Sequence, residues 1–177
     1  KAADQGNSDA MLALGAFHFS ENRRRTWRGD LALPSEHEKA FQWFSKAANL
    51  GNLMSMSWLE EMYKEGKGTK KDLQKSFEWS LQSAKSGWPH EQFRVSQKYF
   101  SGEGVDKDYI KAFMWASIAQ QNEYSSQEIV FDSFSDFVKT FPASDMITKL
   151  GQLMSASQVE EAKELAGQCF ESLYKHC

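Results

Sequence analysis

The sequence predicts an all-α fold: an α–α superhelix, that is, a right-handed α-solenoid of antiparallel helix pairs. Two observations predict it. The first is a fixed period. Trp43, Trp79 and Trp115 stand 36 residues apart, and the same step links Lys39, Lys75 and Lys111, then Phe41, Phe77 and Phe113. It also links Tyr63 to Tyr99, Gly66 to Gly102, Gly68 to Gly104 and Asp72 to Asp108. Self-similarity at such a period marks an array of stacked units. The second is that each unit carries two helical patterns joined by a glycine-rich turn. One such pair cannot bury its apolar faces alone, so neighbouring pairs must stack.

The opening stretch KAADQGN returns as KAANLGN at Lys46–Asn52. It therefore reads as the tail of a second helix. The expectation is a partial unit over residues 1–7, cut from a longer chain or lacking its earlier part. The interval between the copies is 45 residues, nine more than the period. The extra residues fall near SENRRRTWRGDLALP, in the turn between paired helices. There Arg23, Arg24, Arg25, Trp27 and Arg28 are a candidate recognition loop for an acidic surface, since Trp and Arg are the residues most often found at interface hot spots. The competing reading is a solvated loop whose Trp27 packs back on the array.

In EHEKAFQWFSKAANLG, Ala40, Trp43, Phe44 and Ala47 recur at helical spacing on one face. Ser76, Trp79, Ser80 and Ser83 repeat that stripe, as do Ala112, Trp115, Ala116 and Ala119. Small residues let helices approach closely, and Trp supplies buried area. Asp72 and Asp108 suit helix starts, and Gly51 and Gly87 suit left-handed helix ends. The alternate helices run through LMSMSWLEEMYKEG and HEQFRVSQKYFSG, with Leu59, Met62, Tyr63, Val95 and Tyr99 as their apolar stripe.

After Gln121 the period lapses. Phe131, Phe134, Val138 and Phe141 share a helical face, with Phe137 beside it, and Pro142 ends that helix. Further on, Ser157-x-x-Glu160 reads as a capping box ahead of a stripe of Val159, Ala162, Leu165 and Ala166. These segments are expected to cap the array, with a partner-docking role for the phenylalanine-rich helix as the alternative.

The chain has 177 residues, 41% hydrophobic and 14% aromatic, and a net charge of −3. That composition argues against disorder. The acidic balance gives no basic face for nucleic acid, and no apolar run reaches the roughly 18 residues of a membrane span. There is no phosphate-binding loop, dinucleotide fingerprint or G-x-S-x-G motif. Glu60–Glu61 and Glu160–Glu161 are adjacent on helices and diverge, so neither makes an acid–base pair. His18, His37, His90 and His176 are scattered. No catalytic residue, metal site or cofactor is expected.

Cys169 and Cys177 would lie roughly 12 Å apart in an unbroken helix, beyond the limit of about 7 Å for a disulfide. A bond requires the chain to leave the helix near Ser172. The polar sequence ESLYKHC permits this, and two free thiols are the alternative.

The third unit, YFSGEGVDKDYIKAFMWASIAQQ, resembles the Sel-1-like repeat, a relative of the 34-residue tetratricopeptide repeat. Tyr99, Gly102, Gly104, Val105, Asp108, Tyr109, Lys111, Ala112 and Trp115 carry the resemblance. Ala10, Leu14–Gly15, Lys39–Ala40, Trp43 and Lys46–Ala47–Ala48 carry it in the first unit. The second unit departs from the pattern at Ser55, Glu60, Ser76 and Ser83. Glu60, in place of a glycine, is expected to tilt its helix or to serve binding. The implied organisation is repeats over residues 1–121 (about 8–51, 52–87 and 88–121 after the partial unit) and capping helices over 122–177.

The resemblance implies a non-catalytic protein-binding module, with the first helix of each pair lining a concave face. Its candidate contacts are Leu12, Ala16, Met54, Ser57, Trp58, Glu61, His90, Phe93, Arg94 and Gln97, with Trp58, Phe93 and Arg94 as anchors. The partner is a protein of unspecified identity, and the oligomeric state is left open. The ending QCFESLYKHC is similar to that of exported bacterial members, which implies a Cys169–Cys177 disulfide and a periplasmic or secreted location. A narrower role is an immunity protein neutralising a secreted toxic effector such as a lipase. A hydrolase or carbohydrate-binding protein on the same scaffold, and a purely structural spacer, are the other classes.

Overall fold

The computed structural model describes residues 3, 6–27, 34–122, 143–175 and 177, with 21–27 and 34–35 described at the backbone only. Among the described residues there are eight helices and no strand: α1 (Ser8–Trp27), α2 (Pro34–Asn49), α3 (Leu53–Glu65), α4 (Leu73–Lys85), α5 (Pro89–Ser101), α6 (Tyr109–Gln121), α7 (Ala143–Leu153) and α8 (Ala156–Glu171). The fold is all-α, as the period predicts. The chain forms two compact units, Lys1–Ser83 and Ala84–Cys177.

The 36-residue period is written into the hydrogen bonds. In the first unit, Gly66 and Lys67 N–H both donate to Met62 O at 2.8 and 3.0 Å, and Asp72 N–H donates to Tyr63 O at 2.8 Å. Thirty-six residues on, Gly102 and Glu103 donate to Lys98 O at 2.8 and 3.2 Å, and Asp108 donates to Tyr99 O at 3.0 Å. Asp72 Oδ1 caps Lys75 N–H and Asp108 Oδ1 caps Lys111 N–H. Lys75 lies over the Tyr63 ring and Lys111 over the Tyr99 ring, each at 5.5 Å. The turn closes because Gly66 and Gly102 take left-handed φ values of 76° and 80°, where a side chain is disfavoured.

The opening stretch repeats its later copy in the same way. Gly6 N–H donates to Ala3 O, as Gly51 N–H does to Ala48 O, and both glycines have φ 85°. Asn7 and Asn52 each accept from a backbone N–H three residues on.

In the first unit α1 packs on α2 and α2 on α3. The core is Ala40, Phe44, Ala48, Met56, Leu59 and Met62, flanked by Leu12, Ala16, Phe19 and Trp79. Gly15 explains the close approach of α1. A Cβ there would lie 2.5 Å from the buried Phe44 ring, so this position tolerates no side chain.

In the second unit α5 packs on α6, and α6 on α7 and α8. Trp115 is 1% exposed, with Ala112, Ala116, Ile118 and Ala119 fully buried beside it. At the position equivalent to Gly15, Ser96 Oγ donates to Ala112 O at 2.6 Å, tying α5 to α6.

Three expectations need correction. Arg23, Arg24, Arg25 and Trp27 do not form a loop: α1 continues through them, running 20 residues against 13 in α3 and α5. No Gly or Pro interrupts Ala16–Trp27, and Arg and Glu propagate a helix well. Their side chains, and all of Arg28, lie outside the described residues. Helix α8 is capped by Ser155, not Ser157. Gln158 N–H donates to Ser155 Oγ, and Ser155 N–H donates to Gln158 Oε1 at 2.9 Å. Two overlapping S-x-x-[EQ] patterns compete here, and the earlier one has Leu150 and Met154 burying the preceding turn. Glu60 is wholly buried in α3, so it offers no surface for binding. The phenylalanine-rich segment with Phe131, Phe134, Phe137, Val138 and Phe141 lies outside the described residues.

Ser80 and Ser83 on α4 are 1% and 0% exposed, and their hydroxyls have no hydrogen-bond partner among the described residues. Burying an unpaired hydroxyl costs free energy, so Ser80→Ala and Ser83→Ala are each expected to raise stability by about 1 kcal/mol. Urea unfolding followed by circular dichroism checks this. A loss on either change would reveal a hydroxyl contact.

Candidate functional site

Helices α1 and α3 supply the candidate surface of the first unit. Helix α1 places Leu12 and Ala16 against the core, half-buried. Helix α3 places Met54, Ser57, Trp58 and Glu61 on its half-buried face. Trp58 is the centre of an aromatic group. Its ring stacks on Phe44 at 5.2 Å with 2° between planes, and meets Phe19 at 4.8 Å. One face of the indole is thus held by the core while part of the side chain stays accessible, the arrangement of a rigid amphipathic anchor.

Helix α5 supplies the candidate residues of the second unit, and here one expectation fails. Phe93 is 3% exposed and belongs to the core, so it cannot anchor a partner. The stripe on α5 is wider than the period implies: Gln92, Val95, Ser96 and Tyr99 are buried with it. Arg94 is half-buried, its Nη1 3.5 Å from Oε1 of the buried Glu91. His90 is half-buried and Gln97 exposed.

Two polar groups escaped sequence reasoning. His18 Nδ1 sits 2.8 Å from Glu36 Oε2, and Lys39 Nζ 2.9 Å from Glu36 Oε1. Side-chain hydrogen bonds, from Lys39 first and then from His18, hold the Glu36 carboxyl below its usual range. Beside them His37 packs on Phe19 at 5.2 Å. Burial, and then the nearby Lys67 charge, push His37 below the ordinary 6.5. The second group lies in the other unit. Gln92 Nε2 donates to Ala84 O, Asn122 Nδ2 donates to Gln92 Oε1, and Tyr174 Oη exchanges hydrogen bonds with the Asn122 amide. Partners 18, 30 and 52 residues apart leave no local signal in sequence. Among the described residues, no three His, Cys, Asp or Glu side chains gather as a metal would need, and no helix is long and apolar enough to cross a membrane.

Cys169 and Cys177 are joined by a disulfide with Cα atoms 5.0 Å apart. Helix α8 ends at Glu171, and Ser172 is its C-cap.

A family model described as the Sel1 repeat matches residues 8–52, 54–88 and 92–119. The chain belongs to the Sel1 repeat family. Sel1 repeats generally mediate protein–protein interaction, and the scaffold is typically non-catalytic. A curated relative, the ERAD-associated E3 ubiquitin-protein ligase component HRD3A of Arabidopsis thaliana, is 36% identical over 66 residues. That match covers 37% of this chain and 9% of HRD3A. Two solved structures share the fold. One is c5321, a protective antigen present in uropathogenic Escherichia coli strains displaying an SLR fold. It has a TM-score of 0.64 at 24% identity, over 98% of this chain and 40% of that one. The other is a Sel1 repeat protein from Oxalobacter formigenes, with a TM-score of 0.59 at 21% identity over 95% of this chain and 60% of that one. The chain therefore spans only part of each of these proteins.

Proposed function

We propose that this Sel1 repeat chain is a non-catalytic interaction module of an exported bacterial protein, and that it binds a partner protein through the first helices of its pairs. The observation that carries this is Trp58, a half-buried indole stacked on Phe44 and in tilted contact with Phe19, with Leu12, Ala16, Met54 and Glu61 as the candidate neighbours on α1 and α3. Arg94 and Gln97 on α5 are the candidate contacts of the second unit. Interfaces place rigid aromatic and Arg side chains at their centres. The Cys169–Cys177 disulfide supports a periplasmic or secreted location, because such bonds persist in oxidising compartments. Neutralising a secreted toxic effector is a narrower form of the same role.

The test is capture from a native envelope extract, followed by titration of the captured protein. Trp58→Ala, Glu61→Arg and Arg94→Glu are each expected to weaken binding about tenfold or more, with helical content by circular dichroism unchanged. Full affinity in all three variants would overturn the site. Absence of any stoichiometric partner would overturn the function. A captured secreted lipase or other toxin would support the immunity role. Intact mass of the native protein before and after reduction checks the disulfide. Two free thiols would remove the argument for export.

A further inference from the structure

The residues after α8 do not continue the helix; they turn back on it. Leu173 and Tyr174 both take left-handed backbone angles, φ 51° and 65°. Neither is Gly, Asn or Asp, so each is strained there and needs its surroundings to hold it. Leu173 N–H donates to Phe170 O at 3.0 Å and Tyr174 N–H to Cys169 O at 2.9 Å. The disulfide then closes the loop. Leu173 is 70% exposed, so this strained turn is not held by burying that side chain.

What the turn achieves is the placement of Tyr174. Its ring lies over Gly87, where a Cβ would come within 3.2 Å of Cε2. Its Oη accepts from Asn122 Nδ2 at 2.8 Å and donates to Asn122 Oδ1 at 3.0 Å. Asn122 is the C-cap of α6, and its Nδ2 also donates to Gln92 Oε1 at 2.8 Å. Gln92 is wholly buried and reaches Ala84 O, at the end of α4. Tyr174 is thus the outer link of a hydrogen-bonded chain within the second unit, running through the Asn122 and Gln92 amides to Ala84 O.

We propose that the Cys169–Cys177 disulfide is a redox-sensitive latch that seats Tyr174 over the Gly87–Gln92–Asn122 group and releases it on reduction. The reductant is a dithiol. Cys169 is 1% exposed and Cys177 half-buried, so the attacking thiolate meets the Cys177 sulfur. A mixed disulfide forms to Cys177, and Cys169 leaves as a thiolate and takes a proton. The second thiol of the reductant then closes its own disulfide and frees Cys177. Two electrons and two protons pass to the protein, and the dithiol is oxidised. With the loop cut, two left-handed residues lose the covalent constraint that offsets their strain. Tyr174 leaves, and the Asn122 and Gln92 amides become accessible. The device is independent of the partner bound by the repeats.

Nitrogen-15 NMR and hydrogen exchange on the full chain, with and without dithiothreitol, test the latch. On reduction the Leu173 and Tyr174 amides are expected to exchange at least roughly tenfold faster, and the Asn122 side-chain amide signals to shift, while Val95 in α5 keeps its protection. The double variant Cys169→Ser, Cys177→Ser should show the open pattern without reductant. Tyr174→Phe should shift Asn122 with the disulfide intact. Unchanged exchange at Leu173 and Tyr174 on reduction would overturn the proposal. So would a loss of protection throughout α5 and α6, which would make the bond a general stabiliser instead of a latch.

Discussion

Trp115→Ala is expected to cost the second unit about 3–5 kcal/mol, the range for truncating a fully buried aromatic. The indole is 1% exposed, and its neighbours Ala112, Ala116 and Ala119 are fully buried and too small to fill the void. Helix α6 packs against α5, α7 and α8, so the cavity would open where these meet. A domain's whole stability is only about 5–15 kcal/mol, so this one change should shift the unfolding midpoint strongly. Trp43 holds the same repeat position but is half-buried, with Lys46 Nζ 4.5 Å over its ring. Trp43→Ala is expected to cost less, about 1–2 kcal/mol, since part of its area already faces water. Urea unfolding of both variants gives the comparison. An equal or larger loss at Trp43 would contradict the difference in burial.

Gly68→Ala is expected to cost about 2–4 kcal/mol, from two independent causes. Gly68 has φ 69°, which L residues adopt at a cost. A Cβ there would also overlap the backbone carbonyl of His37, which belongs to α2 and has no rotamer to move into. Gly151→Ala is the control. It lies in α7, it is exposed, and a Cβ would meet nothing within 4 Å. That change removes backbone freedom from the unfolded chain and should add about 1 kcal/mol. Thermal unfolding of the two variants should therefore move in opposite directions. A neutral Gly68→Ala would mean that the turn and α2 do not approach as closely as described.

The two substitutions differ in how far sequence foretells them. The glycine turn was legible from Gly66-x-Gly68 recurring as Gly102-x-Gly104, because a left-handed turn demands the residue that lacks a Cβ. That Gly68 also abuts the His37 carbonyl was not legible, since nothing local to either residue encodes their contact. The tryptophan period was legible too, but the period treats Trp43 and Trp115 alike. Their burial differs because α6 is covered by α7 and α8, which have no counterpart in the repeat.

The candidate site divides along the same line. Trp58 was legible as an aromatic on the first helix of a pair. Its stacking on Phe44 and its tilted contact with Phe19 depend on α1 and α2 meeting α3. Phe93 looked equivalent and is buried, because α5 closes against α6 over a wider face. The arginines after Asn22 looked like a loop because repeats usually turn there, yet the local composition favoured continuing α1.

By itself the sequence determined the helix pairs, their order, the Asp and Gly caps of the repeats and the family. Each of these follows from interactions within a few residues: an Asp accepting from the N–H three positions on, a Gly freeing φ, an apolar stripe at helical spacing. Only the tertiary structure decided which equivalent side chains are buried, which Ser begins α8, and how Gln92, Asn122 and Tyr174 join across 30 and 52 residues of chain. Packing between helices sums contacts from distant segments, and a repeat of local chemistry carries no record of that sum.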